Sequence, residues 1–308
     1  VPGLADPRLE ANLRPVPLAG PLLRFYVERG VDGEFRRYAS DPRTFAFIQA
    51  APGFGKTSSL NYWAARVIPD LGAVPVRVRA RTAVDVLYQA ASKAVEALLL
   101  LEEAPAEGLA RVQERVESSS SLGELTSSLM ALDDLSPRPV FVMVDDLRPG
   151  LSGFSRLMEE LDCLNQAPSS VFFVLFGTPG CLSAVARANR PLWEKLLVLK
   201  MPHFTYGEAV EVLRRRVEDA GYGLGEVFPP EALGAIYSLS SGPRDLLLLA
   251  LDYVRTGDVR EVARMAEERS LRSLVETLDE RDRAIVDLML ARGEVRASEL
   301  AEALGISR

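Results

Sequence analysis

Ala50-Ala51-Pro52-Gly53-Phe54-Gly55-Lys56-Thr57 decides how the chain is read. It follows the apolar run Thr44 to Ala50 and precedes an amphipathic stretch, Ser58 to Ile68, and so sits between a strand and a helix as a phosphate-binding loop must. Only its first position departs from the Walker A pattern, with Ala50 in place of glycine. Gly53 and Gly55 let the backbone curl until successive N–H groups and the helix start face a polyphosphate. The expected cradle is Ala51, Pro52, Gly53, Phe54, Gly55, Lys56, Thr57 and Ser58. Lys56, expected to face solvent in the empty loop, reaches the β- and γ-phosphates, and the Thr57 hydroxyl ligates Mg²⁺.

Downstream, Pro139-Val140-Phe141-Val142-Met143-Val144-Asp145-Asp146 reads as a buried strand ending in two carboxylates. Paired with the loop, Asp145 is expected as the magnesium ligand and Asp146 as the group that polarises the attacking water. Asp146 is shorter than the glutamate common at that place, which points to slow or partner-dependent hydrolysis. Further strands are expected at Val74 to Arg79, Val171 to Phe176 and Leu196 to Lys200, with helices at Ala83 to Leu101 and Leu122 to Leu132. This alternation predicts an α/β fold in which a five-stranded parallel sheet carries helices on both faces. Ser118 to Ser121 marks a turn or a helix start.

The fourth strand ends in Gly177-Thr178-Pro179, which places Thr178 at the sheet edge where ligands gather, either to sense the γ-phosphate and orient the water or as a plain turn. Beyond Pro202 the pattern is helical only, opened by Thr205 and Glu208 at capping-box spacing. Arg244, after Gly242-Pro243, stands at a helix start, either swung onto the phosphates or solvated. Arg214, Arg215 and Arg216 form the clearest basic cluster. With Glu211, Glu218 and Asp219 around them, they make either a mixed-sign solvated helix or a nucleic-acid patch.

Taken together, these residues resemble the AAA+ superfamily, with Walker A at 50–57, Walker B at 140–146, a sensor-1 position at Thr178 and a sensor-2 Arg244, followed by an all-helical lid. Within that group the arrangement is similar to origin-recognition/Cdc6-like initiators and transposition-helper ATPases, because Arg292 to Ser307 resembles the first half of a helix-turn-helix. The resemblance implies an ATPase with ATP or ADP and Mg²⁺ as ligands, a P-loop domain over 1–203, a lid over 204–271 and the start of a winged helix over 272–308. It further implies duplex DNA as a partner through that winged helix, and a homo-oligomer in which an arginine finger completes a neighbour's site, Arg187 and Arg190 being the candidates. STAND-type ATPases share the loop, the aspartate pair and a Gly-x-Pro element near Gly242-Pro243. They imply instead a nucleotide-dependent switch with little turnover and protein partners.

Composition sets the outer limits. The 308 residues are 48% hydrophobic and 26% charged, enough for about two domains. No apolar run nears the ~18 residues of a membrane span, so no membrane partner and a cytoplasmic setting are expected. The start at Val1 reads as a trimmed end and not as a signal peptide. Two cysteines, Cys163 and Cys181, form no disulfide framework, and the single histidine, His203, excludes a multi-imidazole site. A formal charge of −7 has the wrong sign for a protein that coats nucleic acid unaided, yet it leaves room for a local basic face.

Overall fold

The computed structural model describes residues 6–101, 104–167, 169–277 and 285. Two helices, α1 (Pro7–Leu13) and α2 (Gly30–Ser40), precede β1 (Ala46–Gln49), the loop and α3 (Lys56–Tyr62), which runs through a π-turn at Trp63–Val67 into α4 (Ile68–Asp70). Then come β2 (Val74–Arg79), α5 (Ala83–Leu99), α6 (Ala106–Ser118), α7 (Leu122–Ala131) and β3 (Val140–Leu147). The α/β part closes with α8 (Phe154–Gln166), β4 (Val171–Gly177), α9 (Pro179–Ala188), α10 (Arg190–Lys195) and β5 (Leu197–Lys200). A helical part follows: α11 (Tyr206–Asp219), α12 (Leu224–Val227), α13 (Pro230–Leu239), α14 (Pro243–Thr256) and α15 (Val259–Thr277). The expected winged helix over 272–308 lies, past residue 277, outside the described residues apart from 285.

All five strands are parallel, in the order β2-β3-β4-β1-β5. Alternation sorts each strand between two cores: Val140, Val142 and Val144 face one layer with Phe47, Phe173 and Leu175, while Phe141 and Met143 face the other with Ile48, Val174 and Phe176. Helices cover both faces, which is why these strands read as unbroken apolar runs. Thr205 and Glu208 form the expected capping box, and Ser121 with Glu124 forms another, so the serine run is a helix start. No helix among the described residues is long and apolar enough to cross a membrane.

One packing feature carries a stability prediction. Gly177 ends β4 beside β1, and a Cβ there would lie 2.6 Å from Phe47 Cζ and 3.1 Å from Cys181 Cβ. Gly177→Ala should therefore cost about 1–3 kcal/mol by overpacking, a fall in Tm of roughly 2–12 °C in thermal melts. An unchanged Tm would mean that the Phe47 ring moves aside freely.

The helical part has its own core, and the chain's beginning contributes to it. Leu9 and Leu13 of α1 belong to one apolar cluster with Val212 and Leu213 of α11, Phe228, and Leu246 and Ala250 of α14.

Candidate functional site

The site forms where β1 and β3 end. Ala50 N–H donates to the Gly177 carbonyl at 3.1 Å, and the chain then turns through Gly53 (φ 82°) and Gly55 (φ 83°), left-handed positions that explain both glycines. Gly55 is the N-cap of α3, so the helix begins at Lys56, two residues earlier than its apolar spacing suggests. Its N-terminal amides and partial positive charge face the loop.

Thr57 Oγ1 donates to Asp145 Oδ2 at 2.8 Å, which brings the loop and the β3 carboxylate together as expected. Lys56 is not solvent-facing. Its Nζ donates to the Ala50 and Ala51 carbonyls, each at 2.9 Å, because a half-buried ammonium without an anion must find oxygen acceptors nearby. Burial draws its pKa below the usual lysine range, opposed by Asp145 and Asp146.

Asp146 departs from its expected place. The β3–β4 register shifts between Val144 and Leu147, inserting one extra residue in β3, and Asp146 there adopts φ 60°. Such a bulge re-aims side chains at the end of a strand. The Asp145 carboxylate accepts from Asp146 N–H at 2.9 Å, while the Asp146 carboxylate takes both Arg148 Nε (2.9 Å) and Nη2 (2.7 Å). Asp146 is thus held by an arginine while lining the same groove as Lys56 and Thr57. Thr178 is also committed elsewhere: its Oγ1 caps α9 by accepting Cys181 N–H at 3.2 Å.

The helical part abuts the loop. Arg244 N–H donates to the Gly53 carbonyl at 3.2 Å, and the exposed Arg244 guanidinium has no partner among the described residues. A Cβ on Gly242 would lie 3.2 Å from the Phe54 ring, whose other neighbour is His203, edge-on at 4.7 Å. His203 thus packs against the loop. Arg190 pairs with Glu194, and Arg187 lies in the last turn of α9, so neither reaches this chain's own loop.

Beside the loop lies a cavity of about 240 Å³, walled by Pro15 to Leu18, Phe25 to Val27, Phe204 and Leu247. These apolar walls join the loop to the helical part. Two further arginines line it, Arg29, which no motif in the sequence marks, and Arg216 of the basic cluster. Arg29 is buried, donating to the Phe54 carbonyl (3.1 Å) and Ser59 Oγ (2.7 Å), so it fastens the underside of the loop. Its neighbour Asp32 accepts from Tyr26 OH (2.7 Å), Trp63 Nε1 (2.5 Å) and Arg29 N–H (2.5 Å). Arg216 is only 3% exposed, bonded to the Asn12 carbonyl and stacked over Phe25 at 4.9 Å, with a buried Nε that has no partner among the described residues. Burial pulls its pKa down to about 10. The basic cluster therefore splits: Arg214 is exposed and pairs with Glu211, as on a mixed-sign solvated helix, whereas Arg216 is buried and Arg215, also paired with Glu211, binds inward to the Tyr26 carbonyl at 2.5 Å. The apolar spacing around Arg216 at Val212, Leu213 and Val217 was the available signal that it faces inward.

The fold and the joined loop and carboxylate define the class as a P-loop α/β protein of the AAA+ architecture. No protein-family model matches the sequence, and no curated protein does. Among solved structures, the chain is similar to a Walker-type ATPase of Pyrococcus abyssi (TM-score 0.58, 13% identity, covering 96% of this chain and 92% of that one). It is similar to the ORC1 protein of Aeropyrum pernix solved in complex with DNA (TM-score 0.57, 19% identity, 95% and 80%). The ADP form of the A. pernix ORC2 protein is another such structure (TM-score 0.51, 15% identity, 97% and 83%). At these identities the likeness is one of fold.

Proposed function

We propose that the chain is an ATPase that binds ATP or ADP with Mg²⁺ and couples nucleotide state, through the lid, to duplex DNA binding or homo-oligomer assembly. The Thr57–Asp145 bond at 2.8 Å beside a glycine-shaped loop is the observation that carries this reading. A hydroxyl and a carboxylate suit a hard cation that keeps most of its waters, and when bound the ion neutralises charge between the phosphates. Lys56 exchanges its two carbonyls for phosphate oxygens. The cavity takes the nucleoside, with Arg216 Nε a donor for an acceptor on the base. Arg244 reports phosphate occupancy to α14, a role supported by its position next to Gly53 with a guanidinium unpartnered among the described residues. The likeness to the DNA-bound ORC1 structure supports the DNA half of the proposal, which a duplex-binding assay with and without ATP tests. Retention of duplex that does not respond to ATP would refute the coupling.

A specific observation favours the alternative of a STAND-like switch with little turnover: the Asp146 carboxylate is tied to Arg148 by two bonds. Both groups are solvent-accessible, so the pair itself is weak. Arg148→Gln should release Asp146 and raise basal phosphate release severalfold with KM for ATP little changed. Turnover no higher than in the parent protein would show that Asp146 is not the acceptor for the water's proton.

A further inference from the structure

The nucleotide site opens on its β2 side into a groove of about 870 Å³ whose lining includes Lys56, Thr57, Asp145 and Asp146 together with residues of β2 and α5. A second hollow of about 610 Å³, lined in part by Arg81 and Arg148, shares Arg79 and Asp146 with it, so the two form one track. Arg79 lies level with Asp145 in the sheet register, which fixes the track's position beside the phosphate end of the site.

This track is basic in a chain whose net charge is −7. Arg77, Arg79, Arg81, Lys93 and Arg148 are all exposed along it. Several arginines elsewhere are ion-paired, as in Arg24–Asp219, Arg36–Glu28 and Arg255–Glu10, although Arg244 is not. Here Arg79 and Arg81 have no ion pair or side-chain hydrogen bond among the described residues, while Arg77 donates only to Asn61 Oδ1 at 3.0 Å. The acids of the track are Glu96, Asp145, which accepts from Thr57, and Asp146, which Arg148 neutralises. Arg77 and Arg79 alternate outward on β2, about 6.6 Å apart, on an edge strand with no strand beyond it among the described residues.

We propose that this track holds the phosphodiester backbone of a nucleic-acid strand alongside the nucleotide site. Guanidinium forks match phosphate oxygens two at a time, and a row of them on a strand edge reads no bases, so the contact is independent of sequence. An extended peptide is disfavoured, because adding a strand to β2 needs its free carbonyls. Lys93 Nζ already occupies the Arg77 carbonyl at 2.9 Å, and Gln89 the Arg79 carbonyl at 3.4 Å. The proposal goes beyond the winged-helix route to DNA. It rests on the nucleotide reading only for what lies next to the track.

The test uses the full chain and fluorescent oligonucleotides, single-stranded and duplex, titrated by anisotropy at several salt concentrations, with ATP binding measured in parallel. The double variant Arg79→Glu and Arg81→Glu should lose at least about tenfold in oligonucleotide affinity, and its salt dependence should be shallower by about 1.4–1.8 in log–log slope, two phosphate contacts' worth. ATP affinity and the melting curve should be retained. The milder Arg79→Gln and Arg81→Gln pair should show the same shift, which guards against misfolding. Loss with the single strand, the duplex or both supports the track and says which form it holds. Unchanged affinity and slope in both variants overturns it, as does a parent protein that binds ATP but no oligonucleotide. Arginine-dependent binding of polyglutamate without oligonucleotide binding overturns it in favour of an acidic protein. Oligonucleotide binding without ATP binding would leave the track standing and remove the nucleotide reading instead.

Discussion

Lys56→Ala is expected to weaken ATP binding by about 100-fold or more while the protein stays folded. A hydrogen bond from a charged donor contributes about 1.5–3 kcal/mol, and each 1.4 kcal/mol is a factor of ten. Lys56 is expected to serve two phosphates, so both contacts go together. Its Nζ is bonded to the Ala50 and Ala51 carbonyls. The loss in stability should stay near 1 kcal/mol, the usual worth of a replaceable hydrogen bond. Titration with a fluorescent ATP analogue, alongside a thermal melt, separates the two effects. Equal affinity in the variant would remove Lys56 from the site.

The second large effect is expected from Asp145→Asn. The amide keeps the shape and its oxygen can still accept from Thr57, so the contact at 2.8 Å need not break. What disappears is the negative charge. The gain in ATP affinity produced by Mg²⁺ should vanish, and phosphate release should fall by about 100-fold, the upper range for loss of a group that orients a metal. Binding in EDTA should barely change. A variant that responds to Mg²⁺ as the parent does would place the ion elsewhere.

The contrast between these residues and those that escaped notice has a physical basis. Lys56, Thr57, Asp145 and the five strands were legible because each announces itself locally: glycines where φ must be positive, apolar runs where both faces are covered, carboxylates where a run stops. Asp146 was half legible. Its presence follows from sequence, but the bulge that turns it toward Arg148 depends on how β3 slips against β4. Thr178 stood open between a phosphate-facing residue and a plain turn, because the same threonine that can face a phosphate also makes a good N-cap, and its hydroxyl caps α9. Arg29 and the Asn12–Arg216 contact could not be read at all. Their partners are set by tertiary packing, in the second case 204 positions away, and no local pattern encodes it. The helical run after Pro202 and its capping box were legible, whereas α1 in its core was not.

That first helix makes the order of synthesis matter. Leu9 and Leu13 leave the ribosome some 200 residues ahead of the helices that bury them, an interval of roughly 10–40 s at 5–20 residues per second. Until α11 and α14 emerge, the two leucines have no native shelter, so a nascent chain must carry them greasy and unsatisfied. Moving α1 behind the lid by circular permutation would end that wait and should shorten the time to a protease-resistant fold during translation.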